Sequence, residues 1–282
     1  MTLERSIIAT LSYSDHFSFP LTLSELHTRL IQFQTDKKSL RLALTKMIDK
    51  GVISHTGNYY YLPNRKKTIS ARDSKSKSSE GELQKACELA HRIGEIKGVI
   101  AVYLTGSLAM KNSDSDADID FMIITNRKRL WTTRMLLTFF LEYLGQRRRP
   151  LSKISPGKVC LNLYLTPDSF TIPSHKLSLY TAYELIQAIP LHDPFSIHTL
   201  LLSANHWVSD FLPNYPYPPK TKTRSKKKQI NSSKILDLLE RILYRLQLLY
   251  MRGKLTREYI TPDSAFFHPN DPGTKVLKKL SI

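Results

Sequence analysis

Apolar residues recur with a helical period three times before residue 50, then switch to the two-residue alternation of strands. Ile7, Ile8 and Leu11 make one face of a helix over residues 5–13. Thr22 followed by Glu25 has capping-box spacing, so a second helix opens there. A third follows Asp36, with Leu40, Leu44, Met47 and Ile48 on one side, and Gly51 ends it. Residues 52–62 flank Gly57 and Asn58, which predicts a hairpin. Residues 67–80 are polar and read as a linker or a solvated helix start. Leu83, Ala86, Cys87, Ala90, Ile93 and Ile96 then mark a helix over residues 81–97. Two apolar, β-branched runs follow, residues 99–105 and 118–124, joined by a segment that opens with Gly106 and Ser107. Residues 130–144, interrupted by Arg134 and Glu142, predict a buried helix rather than a membrane span. Residues 159–165 read as a further strand and 178–189 as a further helix.

The polar segments set expected boundaries. Residues 214–233 are proline-rich and then basic, which predicts an extended, poorly packed linker. Beyond it, Leu238, Leu239, Ile242, Leu246 and Leu249 give an amphipathic helix that either packs back on the central domain or forms a partner surface. The predicted division is 1–66, a linker at 67–80, a central domain at 81–213, a linker at 214–233 and a C-terminal helical segment at 234–282. The fold class is α/β in its α+β form.

Composition changes this picture in one respect. Hydrophobic residues at 41% and charged residues at 23% are those of a globular protein, but 42 Lys and Arg against 24 Asp and Glu leave a net charge of +18. Such an excess predicts attraction to polyanions, nucleic acid first among them. Cys87 and Cys160 have neither metal-ligand spacing nor the makings of a disulfide framework, and the nine histidines are scattered. The first residues lack signal-peptide character, and the expected location is cytoplasmic, with no membrane contact.

The chemistry concentrates between Gly106 and Asp120. Asp118 and Asp120 are two apart on a strand, so their side chains point to the same side. Two carboxylates side by side repel unless a cation sits between them, and carboxylates in an apolar strand are costly without a partner. Magnesium prefers oxygen ligands and is commonly held by one or two carboxylates plus substrate phosphates. Glycine admits a phosphate close to the backbone, and a serine hydroxyl donates to phosphate oxygen. Asp114 and Asp116, in a Ser-Asp repeat, read as a solvated loop.

Gly106-Ser107-Leu108-Ala109, then Asp118-Ile119-Asp120 and a hydrophobic strand, resembles the signature of the polymerase-β-like nucleotidyltransferase superfamily. Small bacterial members have Gly-Ser-x-Ala-Arg-Gly, a spacer, then Ser-Asp-x-Asp. Met110, Lys111 and Ala117 depart from that pattern. The resemblance implies a nucleotidyltransferase core with a mixed sheet. It also implies Mg²⁺- or Mn²⁺-dependent transfer of a nucleoside monophosphate from an NTP to an acceptor hydroxyl. Asp118 and Asp120 would be the catalytic, metal-binding acids, and Gly106 and Ser107 would seat the nucleotide phosphates. A third carboxylate usually completes such a site from a later strand. Here that position is Asn162, a metal ligand through its carbonyl but not a base, and Asp168 beyond Pro167 reads as a turn residue.

Three helices and a terminal hairpin resemble a winged helix-turn-helix domain, whose third helix enters the major groove. Lys37, Lys38, Arg41 and Lys46 lie on the outward face of that helix and are expected to meet phosphates. Arg147, Arg148 and Arg149 are candidates for the same contact, or complement a helix C-terminus. Three functional readings stay open: a transferase, a winged-helix regulator whose transferase domain senses nucleotide, and, ranked last, an antitoxin-like component of the kind that small members of the superfamily form. The expected partners are an NTP and nucleic acid, with a protein partner as a further alternative.

Overall fold

The computed structural model describes residues 1–149, 155–218, 233–253 and 258–267, with Gly273 and Val276 beyond them. It is a mixed α and β structure with one three-stranded and one six-stranded sheet. Helix α1 (Leu3–His16) starts at Thr2, whose hydroxyl oxygen accepts from the Arg5 amide. Strand β1 (Leu21–Thr22) leads into α2 (Leu23–Thr28), and the expected capping box forms between Thr22 and Glu25. Helix α3 (Lys37–Asp49) is capped by Asp36, which accepts from the amides of Lys38 and Ser39. The hairpin of β2 (Ser54–Thr56) and β3 (Tyr59–Tyr61) turns at Gly57, and β1 joins β3 to complete an antiparallel sheet in the order β1-β3-β2. Ile7, Leu11, Leu26, Leu40, Leu44 and Met47 bury a core of their own. Val52 and Ile53, expected in the first hairpin strand, precede it because their amides bond the Met47 carbonyl at the end of α3.

Helix α4 (Lys67–Gly94) is continuous across residues 67–80, the solvated helix start of the two sequence alternatives. Its first half carries little apolar surface and is held by tertiary polar contacts. The Arg72 guanidinium donates to both Glu25 carboxylate oxygens and lies 3.9 Å from the Phe19 ring centroid. Asp73 accepts from the Tyr59 hydroxyl.

The six-stranded sheet follows. Its elements in chain order are β4 (Val99–Thr105), α5 (Gly106–Ala109), β5 (Ile119–Thr125), α6 (Leu130–Tyr143), β6 (Val159–Leu165), α7 (Leu179–Gln187), β7 (Ile189–His192), α8 (Ile197–Ala204), α9 (Val208–Phe211), α10 (Lys234–Met251), β8 (Tyr259–Ile260) and β9 (Ser264–Phe266). The strand order is β7-β4-β5-β6-β9-β8, with β5 and β6 parallel and every other pair antiparallel. Alternation sends Val102, Leu104, Phe121 and Ile123 to a core shared with α4, α6 and α10. Ala101, Tyr103, Met122 and Ile124 go to the opposite core, shared with α7, α8 and α9. Both faces are covered, which is why β4 and β5 read as near-continuous apolar runs.

The N-terminal unit docks on the second of these faces. Tyr13 and Ile31 are buried in that core, Tyr13 stacking on Tyr183 with centroids 4.2 Å apart. The Tyr183 hydroxyl donates to the Arg29 carbonyl at 2.7 Å, and Asn112 Nδ2 donates to the Phe17 carbonyl at 2.9 Å.

Two expectations about the C-terminal third are corrected. Residues 214–218 are packed rather than extended: Asn214 accepts from the Thr35 amide and donates to the Phe33 carbonyl, and Tyr217 packs on the core. The basic stretch 219–232 lies outside the described residues. The segment after 234 is not only helical, because β8 and β9 extend the sheet from the edge of β6. Helix α10 does pack back, but not through the five apolar residues expected from its sequence. Leu238, Leu239, Ile242, Leu246 and Leu249 are exposed, and Glu240, Leu243 and Met251 face inward. A buried carboxylate sets this rotation. Glu240 accepts from the Trp131 and Thr132 amides at 2.6 and 3.0 Å, capping α6, which has no side-chain cap of its own. Gln247 adds a bond from its amide to the Trp131 carbonyl. Among the described residues no helix is long and apolar enough to cross a membrane.

Removing the Glu240 carboxylate strands the buried Trp131 amide and the part-buried Thr132 amide and loosens α10. Glu240→Ala is expected to cost about 3 kcal/mol in urea unfolding, with Glu240→Gln costing less. Limited proteolysis of Glu240→Ala is expected to cut within α10 first, and an unchanged digestion pattern would count against the cap.

Candidate functional site: an acidic pair at three strand ends

Register brings the candidate residues together. Thr105 at the end of β4 pairs with Asp120 near the start of β5, and Asp120 pairs with Cys160 near the start of β6. Asp120 shares the parity of Met122 and Ile124, so it faces the α7 side of the sheet. Asp118 lies just before β5 on the same side. One oxygen of each aspartate and the Cys160 Sγ all lie within 4.8 Å of one another.

Gly106 is fitted to this arrangement. It has φ +70°, and a Cβ built there would stand 2.5 Å from Asp120 Oδ2. Only glycine combines that backbone conformation with that approach. The expected turn at Gly106 and Ser107 is a single helical turn, α5, and the Ser107 side of it is exposed.

Asn162 reaches the pair through a bulge. The β5–β6 register shifts between Phe121 opposite Leu161 and Met122 opposite Leu163, so Asn162 is the extra residue. Its Nδ2 donates to Asp120 Oδ1 at 3.0 Å, and its Oδ1 is buried with no hydrogen-bond partner among the described residues. Arg148 closes the other side. Strand-like bonds between residues 146–148 and Val159 place its guanidinium 2.9 Å from Asp118 Oδ2 and 3.4 Å from Cys160 Sγ.

The electrostatics follow from this crowding. Burial, with Asp118 and Glu184 nearby, pushes the Asp120 carboxyl up to about 7. Burial likewise pushes Glu184 on α7 up to about 7. The Cys160 thiol is pushed well above its ordinary range by burial and then by the two aspartates, so it stays protonated and hydrogen-bonds to Asp120. The two carboxylates, the unpartnered Asn162 carbonyl and the Cys160 sulfur are the groups here that could hold a metal ion.

The remaining candidates fall elsewhere. Lys37, Lys38, Arg41 and Lys46 are exposed along α3. Arg147 and Arg149 pair with Glu142 near the end of α6, at 3.5 and 2.8 Å, so of the arginine cluster only Arg148 belongs to the acidic pair. Asp114 is exposed and pairs with Lys75, as a solvated loop residue does, and Asp168 pairs with Arg127 in a turn after β6. Cys160 was not legible as a site residue. Its one signal was spacing, because it stands two before Asn162 and shares its side of the strand.

Next to the pair opens a pocket lined by Gly106 and Ser107, by Tyr13, Phe17 and Arg29 of the N-terminal unit, and by Asn112 and Glu184. No protein family, curated protein or solved structure matches the chain.

Two outcomes test this geometry. Gly106→Ala forces the left-handed conformation on a residue with a Cβ and drives that Cβ into Asp120, so a loss of about 1–3 kcal/mol in chemical unfolding is expected. A neutral substitution would mean that Asp120 stands elsewhere. The second is a pH effect. In metal-free buffer the unfolded Asp120 releases its proton from about pH 4 upward, but the folded carboxyl holds it until about 7. The unfolded state then binds fewer protons, so Asp120 makes stability fall as pH rises from 4 to 7. Asp120→Asn removes that contribution, and its melting temperature is expected to gain on wild type across this window.

Proposed function

We propose that this protein is a metal-dependent nucleotidyltransferase of the polymerase-β-like kind, moving a nucleoside monophosphate from an NTP to an acceptor hydroxyl. The observation that carries the reading is the placement of Gly106 against Asp120, with Asp118 on the same side of the sheet. Asp118 and Asp120, with the Asn162 carbonyl, would hold Mg²⁺ or Mn²⁺. The ion would neutralise triphosphate charge as it develops on the leaving pyrophosphate. Gly106 and Ser107 would seat the phosphates. Asn162 cannot take a proton, so this chain brings two acids to the site and positions them with an amide and a guanidinium. Arg148, 2.9 Å from Asp118, holds that carboxylate in place and offers a cation to an incoming phosphate.

The N-terminal order α1-β1-α2-α3-β2-β3 supports a winged helix-turn-helix reading of that unit. Its α3 presents Lys37, Lys38, Arg41 and Lys46 to solvent, and the net charge of +18 favours a nucleic-acid acceptor or a target bound to nucleic acid. A second reading has one observation in its favour. Arg148 already compensates Asp118, and no third carboxylate joins the pair among the described residues, as in a domain that binds nucleotide to sense it.

Incubation with labelled NTPs, Mg²⁺ and lysate separates the two. A label attached to an acceptor, lost in Asp118→Ala by at least about 100-fold, is the outcome for a transferase. Nucleotide bound but unreacted is the outcome for a sensor. NTP binding that ignores Mg²⁺ would end both.

A further inference from the structure

The pocket beside the acidic pair has walls from two parts of the chain. It holds roughly 650 Å³ of empty space, part of it open to solvent. Gly106 and Ser107 form one wall, and Tyr13 and Phe17, at the C-terminal end of α1, form another. Tyr13 is fixed by stacking on Tyr183 at 4.2 Å, and the Phe17 ring leans on Tyr13 with centroids 5.5 Å apart. Phe17 is 39% exposed, an aromatic face kept at the rim instead of in a core.

Among the polar groups that line this cavity, one has an unmet demand. Asn112 spends its Nδ2 on the Phe17 carbonyl, which ties it to the rim, but its Oδ1 is buried with no hydrogen-bond partner among the described residues. Glu184 lines the same cavity, and burial brings its carboxyl to about 7, so near neutrality it accepts or donates. Aromatic walls with a small number of convergent polar groups are the composition of a small-molecule site. A flat ring face next to an orphan acceptor suits a planar ligand that carries N–H donors on its edge. The wall shared with the proposed phosphate seat fixes what that ligand is attached to.

We propose that this pocket receives the nucleobase of the nucleotide whose phosphates sit at Gly106 and Ser107, so that the N-terminal unit is part of the substrate site. This rests on the nucleotidyltransferase reading. The base stacks on Phe17 and hydrogen-bonds to Asn112 and Glu184. On this assignment the N-terminal unit cannot be removed without loss of nucleotide affinity, whatever else its α3 contacts.

Calorimetric titration of the full chain with each of the four Mg-NTPs and with Mg-tripolyphosphate, which has the phosphates and no base, tests it. Wild type is expected to bind at least one NTP more tightly than tripolyphosphate. Phe17→Ala is expected to weaken that NTP about tenfold, the scale of a lost base stack, and to leave tripolyphosphate unchanged, which also shows the variant is folded. Phe17→Tyr keeps a ring and is expected to restore NTP affinity. Asp120→Asn is expected to weaken both ligands. If tripolyphosphate binds as tightly as every NTP, or Phe17→Ala leaves NTP affinity intact, the pocket assignment is overturned while the phosphate site stands. If neither ligand binds wild type, the nucleotidyltransferase reading falls and takes this one with it.

Discussion

The contact between the bare Cα of Gly106 and the carboxylate of Asp120 sets the geometry of the rest. It requires the end of β4 to lie directly beside the start of β5, and the Thr105–Asp120 register does this. Once those ends are aligned, the parallel neighbour β6 brings Cys160 level with Asp120, and the bulge at Asn162 turns an amide toward it. A carboxyl so enclosed is pushed up to about 7 by burial and by Asp118 and Glu184 nearby, and an amide donor, a thiol hydrogen bond and a guanidinium on its neighbour offset part of that cost.

That enclosure explains how the chain is arranged around the sheet. The pair faces the side covered by α7 to α9, and the N-terminal unit completes that side through Tyr13, Ile31 and the bond from Tyr183 to the Arg29 carbonyl. The opposite face is devoted to support. There α4 and α6 cover the strands, and α10 is locked on α6 by the Glu240 carboxylate. The exposed leucines of α10 are a consequence. Glu240, bonded to the α6 amides, shares the inward side of α10 with Leu243, Leu248 and Met251, and the other leucines are left to solvent.

Much of the fold was legible in local pattern. The caps at Thr22 and Asp36, the hairpin at Gly57, the strands around Gly106 and Asp120 and the long apolar helix at 130–144 all appear close to where period and capping chemistry place them. Each depends on neighbours within a few residues. The same holds for the shared side of Asp118 and Asp120, which strand alternation alone implies. Features that local pattern left open or misplaced depend on distant partners. Residues 67–80 have a linker's composition and are helical because Arg72 meets Glu25 and Tyr59 meets Asp73. Residues 214–218 are proline-rich like a linker and are packed because Asn214 bonds the backbone at Phe33 and Thr35.

The sequence by itself determined most of the elements as far as α7, the mixed class and the pair of acids opposite a glycine, because helix period, strand alternation and the steric freedom of glycine act over a few bonds. Only the tertiary structure decided that Arg148, and neither Arg147 nor Arg149, turns to Asp118. It alone placed Cys160 at the pair, turned α10 by its carboxylate and brought α1 to the pocket's rim. Those outcomes depend on register between strands distant in sequence and on the cost of burying a charge without a partner, and no window along the chain contains both.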